Sequence, residues 1–304
     1  MLSYLHAYHA GNHADILKHL TLTLILDQLN EKAKPYTVFD THAGSGLYDL
    51  FDEKSLKTNE AKNGILHLLT TIEKSEYPLP LQKYLEICKA YKSQSPENTI
   101  LYPGSPLIER DLITDECEHI LCELHKTEFE NLKENLKGTT SKIHNRNGFE
   151  ALLALTPPNI KRGLAIIDPS YEETSDYTLC ESTICKVHKK WPVGIICLWY
   201  PLLAKRKIEI ENLKQNIIAK IKVETKSCNI LVAELQVNLE NSHIETTLEN
   251  NDSSNPPRLY GSGMIVINAP WKLKEKLEES LSYLSKILQA DNNGSYKIQS
   301  FEEN

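Results

Sequence analysis

The stretch Leu164-Ala165-Ile166-Ile167-Asp168-Pro169-Ser170-Tyr171 joins a strand-like segment to a polar turn. Its four leading apolar residues predict a short strand that is buried on both faces of a sheet. The carboxylate of Asp168 and the carbonyl of Pro169 follow directly, and together they can accept both hydrogens of an amino group on a planar ring. The ring of Tyr171 can stack on that planar ring. Asp168, Pro169 and Tyr171 are therefore the predicted catalytic residues.

A glycine-containing loop, Asp40-Thr41-His42-Ala43-Gly44-Ser45-Gly46, follows the strand-like residues 36–39. Gly44 and Gly46 permit a tight turn and the close approach of backbone to a ligand. Open α/β sheets bind nucleotides where such loops leave the carboxyl ends of strands. Asp40 can meet the amine of a bound amino acid or order the loop. We therefore assign Asp40, Gly44 and Gly46 to a cofactor site.

Glu123 ends the next predicted strand, where a carboxylate can accept hydrogen bonds from both hydroxyls of a ribose. Glu123, the glycine loop and the Asp168 turn, in this order, predict an enzyme that uses S-adenosylmethionine to methylate an adenine amino group. The adenine would have to be single-stranded or flipped out of a duplex to reach such a site.

Apolar segments alternate with helical patterns along most of the chain. The predicted strands are 36–39, 119–123, 142–145, 164–167, 193–199, 228–237 and 262–268. The predicted helices that separate or follow them are 126–136, 147–155, 176–189, 204–221 and 272–288. This alternation predicts a Rossmann-like α/β fold, with a mostly parallel sheet, helices on both faces and an antiparallel last strand.

Residues 50–98 break the alternation. They contain no convincing strand, but they show two amphipathic helical patterns, at 61–74 and 79–94. We therefore expect a small helical insertion within a single domain that spans residues 1–304.

The composition is that of an ordinary globular protein, with 40% hydrophobic and 25% charged residues. A net charge of −7 argues against a protein that coats nucleic acid by charge alone. The chain has no apolar run of about 18 residues and no signal-peptide pattern. Its seven cysteines lack CxxC spacing. We expect a cytoplasmic, monomeric enzyme without a membrane segment.

One segment has a positive charge although the chain as a whole is negative. Between residues 180 and 207 six lysine and arginine residues stand against a single acidic residue, Glu181. This basic run flanks the strand that follows the Asp168 turn. It predicts contact with phosphates, and Lys205 and Arg206 are the residues assigned to RNA.

The amino-terminal segment is rich in histidine, which raises the question of a metal site. Thiolates and the spacing of known zinc motifs are missing, so we predict no metal. The segment, which contains Tyr4, His6, Lys18 and His19, is instead expected to cap the cofactor and grip the substrate. The first helix is predicted to begin at Asn12.

Another helix is predicted to begin at Gly104-Ser105-Pro106. Its N–H groups suit an anionic ligand such as the carboxylate of a bound amino acid.

Seven longer motifs resemble one known family. They are HAGNHADILKH at 9–19, FDTHAGSG at 39–46, YPGSPLI at 102–108, ELH at 123–125, DPSYE at 168–172, LWYP at 198–201 and SGMIVINAPW at 262–271. In this order they are similar to the bacterial 23S ribosomal RNA adenine-N6 methyltransferases of the RlmJ type.

The resemblance implies a class I methyltransferase fold with S-adenosyl-L-methionine as the methyl donor. The residues that it assigns to the donor are His19, His42, Ser105, Glu123, Asn147, Gly148 and Asp168. It also implies that Asp168 is the proton acceptor and that Tyr4 contacts the RNA. The implied substrate is 23S ribosomal RNA that is free of protein.

Two residues depart from the family pattern. Ser170 stands where the motif usually has a second proline, which loosens the turn by about 0.5–1 kcal/mol but leaves the Pro169 carbonyl and the Tyr171 ring. Asn147 stands where an acidic residue is common, and its amide oxygen can still accept a hydrogen bond from the donor's adenine. We therefore expect an active enzyme.

The residues alone leave alternatives open. The D-P-x-Y turn would serve equally well for an adenine in DNA or for a glutamine amide in a protein. A third reading is a non-catalytic nucleic-acid-binding protein linked to DNA uptake. That reading does not explain why the residues of the glycine loop, the ribose carboxylate and the Asp168 turn occur together.

Overall fold

The computed structural model describes residues 5–225, 227–239, 259–290 and 292–302. Within these ranges ten strands are formed: β1 (Thr37–Asp40), β2 (Leu47–Asp49), β3 (Leu101–Pro103), β4 (Glu118–Cys122), β5 (Lys142–His144), β6 (Gly163–Ile167), β7 (Ile195–Leu203), β8 (Ile230–Gln236), β9 (Leu259–Ile267) and β10 (Ser295–Phe301). Eight of them form one sheet with the order β10-β8-β9-β7-β6-β1-β4-β5, and β2 pairs with β3 in a separate small sheet.

Helices cover both faces of the large sheet. They are α1 (His13–Asn30), α2 (Glu53–Thr58), α3 (Glu60–Asn63), α4 (Ile65–Ile72), α5 (Gln82–Ser93), α6 (Ser105–Leu112), α7 (Lys126–Asn135), α8 (Gly148–Leu155), α9 (Ser175–Lys190), α10 (Lys207–Glu224) and α11 (Leu273–Ile287). Among the described residues, no helix has the length and apolar character needed to cross a membrane.

The central strand β6 confirms the prediction made from residues 164–167. All of its residues are buried. Leu164 and Ile166 join the core cluster that contains α1 and α11, whereas Ala165 and Ile167 join the cluster that contains α9 and α10. Successive side chains of a strand point to opposite faces, so a strand between two helical layers needs apolar residues at every position.

The strand directions confirm the predicted Rossmann-like class I methyltransferase fold. Parallel pairing joins β5, β4, β1, β6 and β7 in that order. Strand β9 runs antiparallel to both β7 and β8, and β10 runs antiparallel to β8. Two strands thus oppose the others, where the sequence predicted one.

The strands that sequence patterns missed are short or partly exposed. Each strand of the β2–β3 pair has three residues, too few to show a period. Strand β10 lies at the edge of the sheet and leaves most of its side chains partly or fully exposed, so it lacks the apolar run of a central strand.

Residues 50–98 form the predicted helical segment, as α2 to α5 and a short turn at Leu79–Leu81. Its apolar side chains, including Ile65, Leu68 and Leu85, pack into the same core cluster as α1. The observed helices α4 and α5 match the two predicted ones. The assignment of the whole chain to a single domain stays a prediction.

A buried acid lies between α6 and the sheet. Glu109 on α6 and His119 on β4 are both fully enclosed, with Oε2 and Nε2 separated by 2.8 Å. Nδ1 of His119 lies 2.8 Å from the hydroxyl of Ser141. Burial raises the pKa of Glu109 well above its usual value, and burial lowers the pKa of His119 to about 4. Burial of both side chains therefore favours the uncharged form of the pair.

We expect Glu109→Gln to raise the thermal unfolding temperature by about 2–4 °C at pH 8. The folded-state pKa of Glu109 lies above its unfolded value, so the stability present below the unfolded pKa is lost as pH rises. The neutral amide keeps the shape and removes this loss.

Unfolding temperatures between pH 5 and pH 8 test this prediction, with the exposed Glu134→Gln as the control. A difference between Glu109→Gln and the wild type that does not grow with pH would contradict it.

Candidate active site

A cavity of about 200 Å³ opens at the carboxyl ends of β1, β4 and β6. Strand β1 pairs with β4 on one side and with β6 on the other, so this is the switch point of the sheet, where α/β folds bind nucleotides. The predicted site residues that line the cavity are His6, Lys18, His19, His42, Gly44, Ser105, Glu123, Asn147, Gly148, Asp168 and Pro169.

Asp40 lies beneath this cavity and does not line it. One carboxylate oxygen accepts the N–H of His42 at 3.0 Å, and the other accepts the hydroxyl of Ser105 at 2.7 Å. Burial raises the pKa of Asp40 to about 8. Of its two predicted roles, the geometry supports ordering of the loop, because Asp40 ties the β1 loop to the start of α6.

The second glycine of the loop is also structural. Gly46 has a φ of +77°, and its carbonyl accepts the N–H of Gly104 at 2.8 Å. The loop after β1 is thereby joined to the start of α6 by backbone as well as by Asp40.

The Glu123 side chain joins the loop after β1 to the loop after β4 at the cavity wall. Its carboxylate accepts the N–H of Gly44 at 2.8 Å and the N–H of His125 at 2.6 Å. Burial raises the pKa of Glu123 above its usual value. Each of its oxygens takes one backbone bond, and a carboxylate has about four acceptor positions. The remaining positions can accept bonds from ligand hydroxyls.

The start of α8 forms the opposite wall. Asn147 caps this helix, with its Oδ1 accepting the N–H of Glu150 at 3.2 Å. A Cβ at Gly148 would lie 2.0 Å from the carbonyl oxygen of Thr41. The helix can approach the β1 loop this closely only because residue 148 is glycine.

His19 lies at the deep end of the cavity. Its Nδ1 is hydrogen-bonded to the hydroxyl of Tyr102 at 2.8 Å. Its Nε2 is buried and has no hydrogen-bond partner among the described residues, and Oδ1 of Asp15 is 3.8 Å away. Burial lowers the pKa of His19 to about 3. A buried polar atom without a partner inside a cavity is suited to bind a ligand.

Asp168 is held by a buried lysine. Nζ of Lys18 lies 2.5 Å from Oδ2 of Asp168 and 2.9 Å from Oδ1 of Asp15. Oδ2 of Asp15 in turn lies 3.0 Å from Nε2 of His6 and accepts the N–H of Gly11 at 2.9 Å. Burial alone would lower the pKa of Lys18, but the two carboxylates outweigh it and hold that pKa well above its usual value.

The structure places Tyr171 differently from the other residues of its turn. Its ring is 6% exposed and packs 4.7 Å from the ring of Tyr177, outside the cavity lining. Its hydroxyl donates to the carbonyl of Trp199 at 2.8 Å, and its φ of +53° is unusual for a residue with a side chain. These contacts fix the Tyr171 ring in the core. The stacking of Tyr171 on a base stays a prediction.

Lys205 and Arg206, which are also assigned to RNA, lie outside the cavity lining. Lys205 and Arg206 follow β7 in a short turn, Ala204–Arg206, at the same edge of the sheet as Asp168. Arg206 donates to the hydroxyl of Thr174 at 2.7 Å. Tyr4 falls outside the described residues.

The comparisons with known proteins agree on one family. A family model described as ribosomal RNA large subunit methyltransferase D, RlmJ, matches residues 33–301. Ribosomal RNA large subunit methyltransferase J of Escherichia coli K12 is 36% identical over 95% of both chains. The protein of that name from Haemophilus influenzae Rd is 35% identical over 98% of both. The chain belongs to the RlmJ family.

A solved structure has the same fold as this chain. A Legionella pneumophila Philadelphia 1 protein superposes with a TM-score of 0.77 at 29% sequence identity, over 96% of this chain and 98% of that one. Family and fold together make this chain a methyltransferase that uses S-adenosyl-L-methionine.

The cavity of this RlmJ family member fits that cofactor. Glu123 offers acceptor positions for ribose hydroxyls, and the unpartnered Nε2 of His19 can bind the amino acid end. Burial lowers the pKa of His42 to about 4, so its ring is neutral and adds no charge that would repel a sulfonium. Asp168 supplies a carboxylate on the same cavity.

Sequence patterns missed several residues of the site. Tyr48, His125 and Phe149 line the cavity, and Asp15 holds Lys18. Asp15 and Lys18 are three residues apart on a predicted helix, which places them on one face. That spacing could have identified their ion pair, whereas the other three residues had no signal in the sequence.

We expect Glu123→Gln to weaken S-adenosylmethionine binding about 10- to 100-fold. Hydrogen bonds to a charged group contribute roughly 1.5–3 kcal/mol, and the amide would also point an N–H group at the N–H of Gly44 or His125. Titration calorimetry measures the loss, with the exposed Glu150→Gln as the control. Wild-type affinity in Glu123→Gln would contradict the role assigned to Glu123.

Proposed function

We propose that this protein transfers the methyl group of S-adenosylmethionine to N6 of an adenine in 23S ribosomal RNA. The placement of Asp168 and Pro169 on the wall of the cofactor cavity carries this proposal. The names of the relatives, both ribosomal RNA large subunit methyltransferases, support ribosomal RNA as the substrate. The turn supports adenine, because a carboxylate and a carbonyl can accept both hydrogens of its amino group.

Lys18 leaves one side of Asp168 available for the base. It binds Oδ2, and among the described residues no group donates a hydrogen bond to Oδ1. Oδ1 can therefore accept one N6 hydrogen while the Pro169 carbonyl accepts the other. This arrangement directs the nitrogen lone pair away from the two acceptors. Orientation of this kind, rather than a strong base, supplies most of the acceleration.

The bound cofactor supplies an electrophilic methyl group on a sulfonium. Asp168 and the Pro169 carbonyl would hold N6 with its lone pair toward that methyl group, and the neutral sulfide would be the leaving group. The nitrogen then carries a positive charge and releases one proton to Asp168, which passes it to water. The ammonium of Lys18 stays bound to Oδ2 and holds the carboxylate in place to receive that proton.

The reaction has no requirement for a metal ion, because the attacking amine and the leaving sulfide are both neutral. We propose that the enzyme acts as a monomer. We further propose that the enzyme works in the cytoplasm on RNA that carries no ribosomal protein, where the adenine can leave its stack.

The competing enzymatic functions would use the same Asp168 turn but act on different substrates. DNA adenine and a protein amide would each fit between Asp168 and Pro169. Family membership favours ribosomal RNA over both. A non-catalytic role in DNA uptake is disfavoured, because the cofactor cavity retains His19, Ser105 and Glu123 with ordered partners.

The substrate is tested by transfer of labelled methyl to protein-free 23S RNA from cells that lack the modification, with double-stranded DNA alongside. We expect label in the RNA, at one adenine and as N6-methyladenine. Label only in DNA would overturn the substrate and keep the chemistry.

We expect Asp168→Ala to lower the rate of methyl transfer about 10²- to 10⁴-fold, with cofactor affinity largely retained. Lys18 keeps Asp15 as an ion-pair partner in this variant, so the fold should survive. Single-turnover rates and calorimetry measure the two quantities. The exposed Asp27→Asn, whose partner is Lys83, is the matched control. Wild-type rates in Asp168→Ala would discard the mechanism.

A further inference from the structure

A basic surface lies at the opposite edge of the sheet from the cofactor cavity. It comprises residues 159–162, 189–194 and 268–274, which we call the basal cluster. These segments precede β6, precede β7 and follow β9. Strands β6 and β7 are parallel and β9 is antiparallel to β7, so all three segments lie at the amino ends of the parallel strands.

Hydrogen bonds join the three segments into one surface. The indole N–H of Trp191 donates to the carbonyl of Lys161 at 2.5 Å. The side-chain amide of Asn268 donates to the carbonyls of Pro192 at 2.9 Å and Gly194 at 2.7 Å. The turns are therefore fixed relative to one another.

The charge of the basal cluster is one-sided. Its segments contain six basic residues and no acidic one, in a chain whose net charge is −7. The basic residues are Lys161, Arg162, Lys189, Lys190, Lys272 and Lys274. Arg162 and Lys190 bind backbone carbonyls, whereas Lys161, Lys189 and Lys272 have exposed side chains.

An aromatic side chain stands out from this surface. Trp271 is 74% exposed, and Nζ of Lys272 lies 4.2 Å from the centre of its ring. Val193, in the adjoining turn, is 64% exposed. Tryptophan is seldom this accessible in a protein without a binding partner. An open aromatic ring beside cations is the arrangement that binds single-stranded nucleic acid, by stacking on bases and by neutralising phosphates.

The topology divides the basic run at residues 180–207 between two surfaces. Helix α9 begins at the cavity edge and runs back, so Lys189 and Lys190 belong to the basal cluster. Strand β7 then returns to the cavity edge, which carries Lys205 and Arg206. The lysines at the end of α9 are too remote to act on the RNA at the catalytic turn.

We propose that the basal cluster is a second RNA-binding surface, on which an unpaired base of the substrate RNA stacks against Trp271. This inference rests on the proposed function, since the RNA is the one that the cavity methylates. Strand β6, which runs from the basal cluster to Asp168, has five residues, and at about 3.3 Å per residue it separates the two surfaces by roughly 17 Å. A stacked strand of roughly five nucleotides, at about 3.4 Å each, would span that distance.

The test compares full-length protein-free 23S RNA with the shortest fragment that the wild type still methylates. Trp271→Ala should raise KM for the long RNA about tenfold, as expected for the loss of one stacked base. Its kcat, its cofactor affinity and its KM for the short fragment should not change. Trp271→Phe, which keeps an aromatic face, should restore most of the affinity.

Charge is tested separately. Lys272→Gln should reduce the dependence of long-RNA affinity on salt, by about 0.7–0.9 in the log–log slope. Tyr296→Ala, which removes a partly exposed aromatic ring from strand β10, is the control and should match the wild type.

Three results would overturn the basal cluster as an RNA surface. One is an unchanged KM of Trp271→Ala for the long RNA, and another is an equal loss on both RNAs. The third is Trp271-dependent binding to vesicles of anionic phospholipid without an effect on RNA, which would assign the surface to a membrane. Filter binding of long RNA keeps the two proposals separate, because it reports on Trp271 even if no methyl transfer is found.

Discussion

The active site depends on one buried cation. Lys18 is 4% exposed and joins Asp15, on its own helix, to Asp168 at the end of the central strand. Loss of the shared lysine would typically cost about 3–5 kcal/mol, because both carboxylates would remain without their cation. The network fixes α1 against β6 and holds Asp168 in one orientation. His6 extends it to the amino-terminal segment, so that segment, the first helix and the reactive turn act as one unit.

The cofactor side of the cavity follows a different principle. Its wall consists of loops that carry few apolar contacts, and carboxylates hold those loops by accepting backbone N–H groups. Asp40 binds the backbone of His42, and Glu123 binds that of Gly44. Asp40 is buried below the cavity, whereas Glu123 lines it. Two acidic residues at similar positions in neighbouring strands therefore differ in their access to the cavity.

The parallel sheet also separates the functions of its two edges. Loops at the carboxyl ends of the strands carry the cavity, as is general for this class of fold. Turns at the amino ends are tied together by Asn268 and Trp191. A large RNA can contact both edges, whereas a small molecule can contact only one. Two contact surfaces separated by the length of a strand could select a long substrate without enlarging the cavity.

The sequence alone determined the fold class, the order of the central elements and half of the residues that line the cavity. This was possible because a doubly covered strand must be apolar throughout and a polar residue directly after it must lie at the sheet edge. The sequence could not show that Asp40 is beneath the cavity, that the Tyr171 ring is anchored in the core, or that Lys18 reaches Asp168. Nor could it divide the basic run between two edges. These features depend on which residues distant in the chain meet in space, and only the tertiary structure decides that.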